Sequence, residues 1–451
     1  MRSEGKLANQ NFSRKEFGIY YTDEKLSKTI LNFLDIPRQS VVFDPCCGKG
    51  SFNKAAIEKG YEFVYGTDID SKSIEYCKSK YHEATFECFD TLLNSGKSIL
   101  SCIGLNQKPY CIIGNPPYGK WINIDKADAV FAAKVKKLGN DMFVAALLRA
   151  IEMVKDDGIV AYIIPKNFLH VAKYKRFRKG LLENFIISSI INLGLHFKDV
   201  RGEQVVLIIK NAFPSKNEKI SFYNYDGNNI NKEYSIKQSY YNDKIILFKN
   251  EYDFEIYEEL KNKKKLGTLF KDIHRGKDIS EDVIKGKDIQ KFQIHNHEPQ
   301  QSGSHVFLQN IYSAEAGVIA AYGGDLKASQ TVTVLTDSDV STCHYILAVL
   351  QSRVANFYLV KYCYNGSRLT AHTDSSYIKD IPLPVLSDIS YAKVQQLCYK
   401  LERLEYLSKE WLTVLAELDN IVATGYSLDK ELVNYINKTM DNIQSDKWRV
   451  N

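Results

Sequence analysis

A short segment that follows an apolar run combines hydrogen-bonding oxygen atoms with a stiff backbone. Residues 111–121 read C-I-I-G-N-P-P-Y-G-K-W, which places Asn115, Pro116, Pro117 and Tyr118 directly after a strand-like stretch. Each proline lacks an N–H and has a fixed φ, so neither a strand nor a helix interior can continue through this segment. We therefore predict a rigid loop that holds a side-chain amide, backbone carbonyls and an aromatic ring in fixed positions.

Three acidic residues, each at the end of a strand-like run, precede this loop. Asp44 begins D-P-C-C-G-K-G, Asp68 lies in G-T-D-I-D, and Asp90 lies in E-C-F-D-T-L-L. A carboxylate at the position of Asp68 can accept hydrogen bonds from ribose hydroxyls. One at the position of Asp90 can accept a hydrogen bond from an exocyclic adenine amine. Small residues at Gly48 and Gly50 let the backbone approach a ligand closely.

The first glycine turn also excludes two common nucleotide sites. It lacks the G-x-G-x-x-G spacing of dinucleotide-binding turns, and Lys49 lies between the glycines rather than at P-loop spacing. Asp44 at the strand end would repel phosphates and suits a cationic or hydroxyl-rich ligand instead. These residues describe a ligand with adenine, ribose and positive charge but no phosphate, and S-adenosylmethionine has all of these properties.

Taken together, these motifs resemble those of the amino-group DNA methyltransferases. D-P-x-x-G-x-G, G-x-D-I-D, D-x-L-L and G-N-P-P-Y occur in that family's order, with F-G-I-Y-Y-T (17–22) ahead of them. The order is similar to the gamma class, the adenine-N6 methyltransferases of bacterial restriction–modification systems. The resemblance is strong over residues 17–210 and diffuse beyond. It implies an α/β fold with the Rossmann-like sheet of S-adenosylmethionine-dependent methyltransferases, then a mixed α+β target-recognition domain ending in helices.

The chemistry implied by the resemblance explains the N-P-P-Y loop. The exocyclic amine of adenine is a poor nucleophile, because its lone pair is delocalised into the ring. The Asn115 side-chain oxygen and the Pro116 carbonyl can accept its two hydrogens, and the prolines hold both acceptors rigidly, which is electrostatic preorganisation. Tyr118 offers a ring face on which an extruded base can stack, an interaction worth roughly 1–3 kcal/mol.

The resemblance assigns further residues by position. Thr22 is expected to bind the methionine end of the cofactor, although Asp23 stands where the family usually has proline. Phe197 is expected to pack on the extruded adenine opposite Tyr118. Cys46 is interpreted as a small cofactor-side residue, because the Pro-Cys nucleophile of cytosine-C5 methyltransferases is expected where this chain has N-P-P-Y. The expected cofactor contacts are Tyr21, Thr22, Asp44, Pro45, Cys46, Gly48, Gly50, Asp68, Ile69, Asp90 and Asn115.

Alternating strands and helices must position these residues. Short apolar strands between helical patterns predict a parallel sheet covered on both faces. Near residue 212 the composition turns polar, and we predict a catalytic domain over 1–240 and a DNA target-recognition domain over 241–451. From about 388 the spacing of apolar residues is helical. The strands predicted in the first half are Val41–Phe43, Phe63–Tyr65, Cys111–Ile113, Ile159–Ile164, Ile187–Leu193 and Val205–Ile209.

The bulk composition is that of an ordinary globular protein. The 451 residues have a net charge of +6, which is compatible with a polyanionic partner but is common among cytosolic enzymes. The nine cysteines form no C-x-x-C pair, so we expect free thiols, no metal site and a cytoplasmic, nucleoid-associated protein. Neither an 18-residue apolar run nor a secretory signal occurs, so no membrane association is expected. We also expect a monomer.

Several segments suit double-stranded DNA as the partner. The basic stretch 172–179 and the lysines after N-P-P-Y can bind phosphates, which fix position without reading sequence. An ordinary solvated helix face is an equally good interpretation of 172–179. The segments 274–279, 283–292 and 376–384 resemble scaffold motifs of the family's target-recognition domains. The lysines after N-P-P-Y are Lys120, Lys126, Lys134, Lys136 and Lys137.

Other functions remain open at this point. Protein-glutamine and ribosomal-RNA guanine-N2 methyltransferases also use N-P-P-Y, although the long C-terminal region favours DNA. A catalytically inactive DNA-specificity subunit is opposed by the intact N-P-P-Y and the cofactor carboxylates. Cytosine-N4 transfer uses the same acceptors, but Asn rather than Ser before the prolines favours adenine. No convincing D…E-x-K nuclease constellation occurs, so we expect methylation without cleavage, with any cognate restriction endonuclease encoded separately.

Overall fold

The computed structural model describes residues 22–197, 202–336, 339–367 and 369–444, so the predicted cofactor residue Tyr21 lies outside the described part. The chain divides into two compact units, a first unit that ends at Ile245 and a second unit that begins at Ile246. In the described part of the chain, no helix is long and apolar enough to cross a membrane.

In the first unit, helices alternate with the strands of one sheet. Several helices begin at a side-chain cap, as at Asp23, Ser95 and Asp128, where the side chain accepts a hydrogen bond from a free N–H of the first turn. The strands are β1 (Val41–Asp44), β2 (Phe63–Asp68), β3 (Ala84–Cys88), β4 (Cys111–Gly114), β5 (Ile159–Pro165), β6 (Ile186–Gly194), β7 (Gln204–Lys210), β8 (Lys219–Tyr225) and β9 (Ile230–Lys237). The helices are α1 (Glu24–Phe33), α2 (Ser51–Glu58), α3 (Ser71–Lys80), α4 (Gly96–Cys102), α5 (Ala129–Leu138), α6 (Met142–Met153) and α7 (Lys175–Asn184).

The strand order in this sheet is β3-β2-β1-β4-β5-β7-β6-β8-β9. β1 to β5 are parallel to one another, as predicted, and β4 is buried along its whole length, as expected for a strand covered on both faces. The all-parallel prediction is wrong for β7, which runs antiparallel to both β5 and β6. Only residues 195–203 separate β6 from β7, too few for the crossover that parallel strands require.

The polar segment after residue 212 belongs to the first unit. β8 pairs in parallel with β6, and β9 pairs with β8 as an antiparallel hairpin, so both strands extend the same sheet. Three residues of β8 are buried, whereas β9 has a single buried residue, Ile236, so most of the hairpin is accessible to solvent and tolerates a Tyr- and Asn-rich composition. The first unit, which includes this hairpin, ends at Ile245.

The second unit has a mixed α and β architecture that ends in helices, which confirms the predicted fold class. Within its described residues, four strands form an antiparallel sheet of order β10-β14-β11-β13, and β12 pairs with β15. The strands are β10 (Asp272–Arg275), β11 (His305–Gln309), β12 (Ile311–Tyr312), β13 (Ala320–Gly324), β14 (Val332–Thr336) and β15 (Ala371–His372). The helices are α8 (Glu251–Lys261), α9 (Val340–Gln351), α10 (Arg353–Tyr358), α11 (Ser375–Asp380), α12 (Asp388–Leu401), α13 (Lys409–Thr424) and α14 (Lys430–Ile443).

Candidate active site

The ends of β1 and β4 bring the first acidic residue next to the N-P-P-Y loop. Phe43 is paired with Ile112, so Asp44 ends β1 beside the end of β4. A Cβ placed on Gly114 would lie only 2.6 Å from Asp44 Oδ1, so the carboxylate packs directly against the Gly114 backbone. Asn115 is the next residue. The cofactor turn and the N-P-P-Y loop, predicted separately from sequence, therefore meet at one edge of the sheet.

Hydrogen bonds from backbone N–H groups fix the glycine turn against β2. Asp44 Oδ1 accepts from Cys46 N at 3.0 Å. Asp68 accepts from Gly48 N at 2.7 Å with one carboxylate oxygen and from Asp70 N at 2.9 Å with the other. Asp68 thus links two consecutive strand ends. Its position is set by the turn, and a ligand hydroxyl would have to use its remaining lone pairs.

The turn also depends on two threonines that sequence reasoning missed. The carbonyl oxygen of Pro45 accepts hydrogen bonds from Thr91 Oγ1 at 2.6 Å and from Thr67 Oγ1 at 3.2 Å. Both hydroxyls are buried and lie 3.2 Å from each other. The available signal was their position in the chain, because Thr67 precedes Asp68 and Thr91 follows Asp90. Each threonine ties one predicted ligand carboxylate to the first turn.

The third carboxylate closes a turn of its own. Asp90 Oδ1 accepts from the N–H groups of Leu92 at 2.9 Å and Leu93 at 3.0 Å. Because both bonds are to Oδ1, Oδ2 can accept from a ligand amine. Ile69, the other predicted contact near this position, is half-buried, and its carbonyl oxygen accepts from the Cys88 thiol at 3.6 Å.

Burial governs the electrostatics of this edge. It raises the pKa of Asp44 well above its usual value, and it also raises the pKa of Asp68 and of Asp90, against the opposing effect of their N–H bonds. Burial, with added repulsion from the same three carboxylates, raises the pKa of the Cys46 thiol well above its usual value. The thiol therefore stays protonated, which argues against a nucleophilic role for Cys46. A cationic ligand would reduce the electrostatic repulsion among Asp44, Asp68 and Asp90.

The N-P-P-Y loop is held by an internal hydrogen bond. The Tyr118 hydroxyl donates to Asn115 Oδ1 at 2.6 Å and also lies 3.2 Å from the carbonyl oxygen of Ile163 on β5. This contact fixes the orientation of the Asn115 amide. Pro116 is buried, whereas Asn115 and Pro117 are half-buried. Tyr118 is only 7% exposed, so stacking of a base on its ring requires its surroundings to move when a substrate binds.

The residues after N-P-P-Y are attached to the start of α6. Met142 N donates to Gly119 O at 2.9 Å, and Trp121 N donates to Asn140 O at 3.1 Å. The Trp121 ring is buried and packs edge-on against Phe131 at 6.2 Å between centroids. The loop therefore has a rigid support on its far side, which the sequence did not reveal.

Thr22 and Phe197 are the sequence neighbours of Asp23 and His196, whose side chains are joined by a hydrogen bond. Thr22 is buried, and Asp23 caps α1 by accepting from Leu26 N at 2.9 Å. Asp23 Oδ2 also lies 2.6 Å from His196 Nε2, and the His196 ring packs edge-on against Phe197. Burial alone would raise the pKa of Asp23. The hydrogen bonds that its carboxylate accepts from His196 and from Leu26 N outweigh this effect, so the pKa of Asp23 is lowered. The helix cap replaces the proline that the family pattern has at this position.

The basic stretch 172–179 is largely engaged within the protein. Arg178 is 1% exposed and donates to the carbonyl oxygens of Phe168 and Val171, each at 2.7 Å. Lys175 pairs with Asp243 at 3.2 Å, Lys173 pairs with Asp141, and Lys179 pairs with Glu183 at 3.7 Å. Arg178 is thus structural, and this stretch is a weaker phosphate site than its composition indicated.

The residues at this edge fit S-adenosylmethionine. Three carboxylates surround the glycine turn, which suits a ligand that carries an amino group, ribose hydroxyls and a sulfonium. The close packing at Gly114 and Gly50, where a Cβ would lie 2.6 Å and 3.0 Å from its nearest neighbours, keeps the turn compact beside the ligand space. Among the described residues, no group of three or more His, Cys, Asp or Glu could hold a metal ion.

The chain is similar in sequence to known methyltransferases. The chain is 25% identical over 211 residues to the type II methyltransferase M.VspI of Vibrio sp. (strain 343), a match that spans 46% of this chain and 50% of that protein. It is 28% identical over 203 residues to the modification methylase CviBIII of Paramecium bursaria Chlorella virus NC1A, across 43% of this chain and 50% of that protein. The chain thus spans about half the length of each of these relatives.

A solved structure shares the fold of both units. The type IIL restriction-modification enzyme MmeI, solved in complex with DNA, superposes with a TM-score of 0.58 at 11% identity, over 93% of this chain and 75% of that one. The sequence pattern of the N-6 DNA methylase family matches residues 5–309. This match includes the cofactor turn, the N-P-P-Y loop and the first strands of the second unit. The chain belongs to the N-6 DNA methylase family.

Proposed function

We propose that this protein transfers a methyl group from S-adenosylmethionine to the N6 amine of adenine in double-stranded DNA, as the gamma class does. One observation carries the proposal. The rigid Asn115–Tyr118 loop begins at Gly114, whose backbone packs against the Asp44 carboxylate of the cofactor turn. A bound amine and a bound methyl donor would therefore be neighbours at one sheet edge.

Asn115 and Pro116 would act on the amine. The Asn115 Oδ1 atom and the Pro116 carbonyl would accept its two hydrogens, so that the lone pair is directed away from the base ring. Tyr118 would orient the Asn115 amide through the 2.6 Å hydrogen bond between its hydroxyl and Asn115 Oδ1. The amide would then need less reorientation when the base enters. Tyr118 and Phe197 would stack on the two faces of the extruded adenine. The proton released after transfer can pass to water.

The carboxylates and the glycine turn would hold the methyl donor. S-adenosylmethionine supplies an electrophilic methyl group on a sulfonium. Thr22 and Asp44 would bind its methionine end, Asp68 its ribose hydroxyls, and Asp90 the amine of its adenine. Tyr21, Pro45, Cys46, Gly48, Gly50 and Ile69 would complete the pocket.

The second unit would recognise the target sequence in DNA. Segment 274–279 overlaps β10, segment 283–292 contains a short 3-10 turn (Gly286–Asp288), and segment 376–384 overlaps α11, which suits the scaffold role that their family resemblance implies. The fold likeness to MmeI, which was solved with DNA, covers both units and supports this assignment. We propose a catalytic domain up to about residue 240–245 and a recognition domain beyond it. We further propose a monomer that acts on nucleoid DNA without cutting it, with any restriction endonuclease encoded separately.

A substrate-class assay tests the proposal. The protein is incubated with methyl-labelled S-adenosylmethionine and with duplex DNA, RNA or a protein extract, and the nucleosides are separated by mass spectrometry. We expect label in N6-methyladenine of DNA, and none after omission of DNA. Label only in RNA, in protein or in N4-methylcytosine would contradict the proposal. A parallel incubation with Mg²⁺ tests for cleavage, and we expect the DNA to remain intact.

A further inference from the structure

The hydroxyl group of Tyr162 is buried without a hydrogen-bond partner among the residues that the structure describes. Tyr162 lies in the middle of β5, and only 1% of the residue is exposed. Buried polar groups in folded proteins are nearly always hydrogen-bonded, and an unsatisfied one costs stability. A phenylalanine at this position would avoid that cost. The hydroxyl therefore needs an explanation beyond the packing of the sheet.

Strand pairing places the Tyr162 side chain on the same face of the sheet as the Asp44 carboxylate. Gly114 of β4 is paired with Tyr162 of β5, and the side chains of paired residues point to the same face of a sheet. A Cβ on Gly114 would therefore point to the face of Tyr162, and it would lie 2.6 Å from Asp44 Oδ1. Asp44 and Tyr162 thus lie on either side of Gly114, whose lack of a side chain leaves that face open between them.

The electrostatic surroundings of Tyr162 agree with this placement. Burial raises the pKa of Tyr162 well above its usual value, with added repulsion from Cys46, Asp44 and Cys111 in their ionised forms. Cys46 and Asp44 both belong to the cofactor turn. The Tyr162 hydroxyl therefore stays protonated, and it can donate a hydrogen bond at the edge of the sheet where the cofactor turn lies.

The strand order indicates which part of the cofactor lies nearest to Tyr162. The proposed ligands of adenine, ribose and the methionine end are Asp90, Asp68 and Asp44, which lie at or just after the ends of β3, β2 and β1. These strands are neighbours in that order, and β4 and β5 come next. The methionine end of S-adenosylmethionine would therefore point toward β5. This end carries an ammonium group, which suits Asp44, and a carboxylate, which requires hydrogen-bond donors.

We propose that Tyr162 is a cofactor-binding residue whose hydroxyl donates a hydrogen bond to the carboxylate at the amino-acid end of S-adenosylmethionine. The ligand then supplies the acceptor that the described residues do not. Asp44 and Tyr162 together recognise the two opposite charges of the amino-acid group. Because Tyr162 is 1% exposed, this group is the most deeply inserted part of the ligand. The inference rests on the proposed function, because it takes S-adenosylmethionine as the ligand of this edge.

The substitution Tyr162→Phe removes the hydroxyl and keeps the ring, so it is expected to change stability and binding in opposite directions. Without ligand, the variant is expected to melt about 2–4 °C above the wild type, because it lacks a buried unsatisfied donor. Calorimetric titration without DNA is expected to show about tenfold weaker binding of S-adenosylmethionine, the scale of one charged hydrogen bond. The KM for S-adenosylmethionine is expected to rise likewise, whereas kcat stays within about twofold, because the hydroxyl does not touch the reacting atoms.

Titration with decarboxylated S-adenosylmethionine identifies the ligand group that the hydroxyl contacts. This compound keeps the sulfonium, the ammonium group and the adenosine but lacks the carboxylate. If the carboxylate is the partner of Tyr162, the wild type and Tyr162→Phe are expected to bind the decarboxylated compound with affinities within about twofold of each other. An equal loss of affinity for both compounds would place the contact elsewhere on the ligand and would overturn the inference.

A buried tyrosine whose hydroxyl is hydrogen-bonded provides the matched control. Tyr61, just before β2, is 4% exposed, and its hydroxyl donates to Ile36 O at 2.9 Å. Tyr61→Phe is expected to melt below the wild type and to bind S-adenosylmethionine with unchanged affinity. The inference is overturned if Tyr162→Phe also melts below the wild type, or if it binds S-adenosylmethionine as tightly. Both results leave the proposed function intact, which fails only if the wild type does not methylate DNA.

Discussion

The packing of Asp44 against Gly114 makes substitution of that glycine a sharp test of the site. A Cβ at residue 114 would lie 2.6 Å from Asp44 Oδ1 and 3.2 Å from its carboxyl carbon. Ordinary contact begins at 3.4 Å, so the carboxylate or the strand must shift by about 0.8 Å. Asp44 is 2% exposed and accepts from Cys46 N, so it cannot turn away without losing that hydrogen bond.

We expect Gly114→Ala to impair both stability and cofactor binding. Overpacking in a dense interior costs about 1–3 kcal/mol. Displacement of a carboxylate that would bind the cofactor is expected to weaken S-adenosylmethionine binding at least about tenfold, or about 1.4 kcal/mol. Thermal unfolding measures the first effect, and calorimetric titration with S-adenosylhomocysteine measures the second.

A second glycine serves as the matched control. Gly180 lies in α7, and among the described residues nothing lies within 4 Å of a Cβ placed there. Gly180→Ala is therefore expected to raise stability by about 0.5–1 kcal/mol, because Ala is the better helix former, and to leave cofactor affinity unchanged. If Gly114→Ala bound the cofactor as tightly as the wild type, Asp44 would not belong to the cofactor site.

Three further outcomes are expected from other residues of the first unit. Asp68→Ala should raise the KM for S-adenosylmethionine, and unchanged cofactor affinity would remove Asp68 from the site. Thr91→Val should cost about 1 kcal/mol of unfolding free energy and weaken cofactor binding, because the Pro45 carbonyl loses its 2.6 Å hydrogen bond; a variant as stable as the wild type would refute this. Burial, with repulsion from Lys244, Lys166 and Arg178, lowers the pKa of His170 from 6.5 to about 3. The folded state therefore favours neutral His170. Its contribution to stability is fully present above the unfolded-state pKa of 6.5 and is lost as the pH falls from 6.5 toward the folded-state pKa of about 3. The melting temperature of His170→Gln should vary less than that of the wild type between about pH 6.5 and pH 5, and equal pH dependence would exclude this role.

The sequence predicted the site best for the residues that lie at the ends of strands. Asp44, Asp68 and Asn115 follow parallel strands, and the carboxyl ends of neighbouring parallel strands necessarily lie at one edge of the sheet. Glycine spacing, proline stiffness and the order of the carboxylates were therefore enough to predict which residues meet. The same reasoning gave the fold class and most strand positions in the first unit.

The sequence could not predict the features that depend on contacts between segments far apart in the chain. The buried ion pair of Lys166 and Glu203 requires β7 to lie antiparallel beside β5, and the pattern of apolar runs does not specify that order. Arg178 sits in a basic run that resembles a phosphate site, yet its partners are backbone carbonyls. The burial of Tyr118 follows from packing against β5, whereas its type alone indicated an open stacking surface.

The most direct test of the central claim is single-turnover methylation by Asn115→Ala on a duplex that contains the target site. Loss of one acceptor should lower the rate of methyl transfer about 10²–10³-fold at saturating S-adenosylmethionine, whereas the affinity for DNA stays within about threefold. Asn228→Ala, at an exposed hairpin position, should match the wild type. Methyl transfer by Asn115→Ala at close to the wild-type rate would contradict the account.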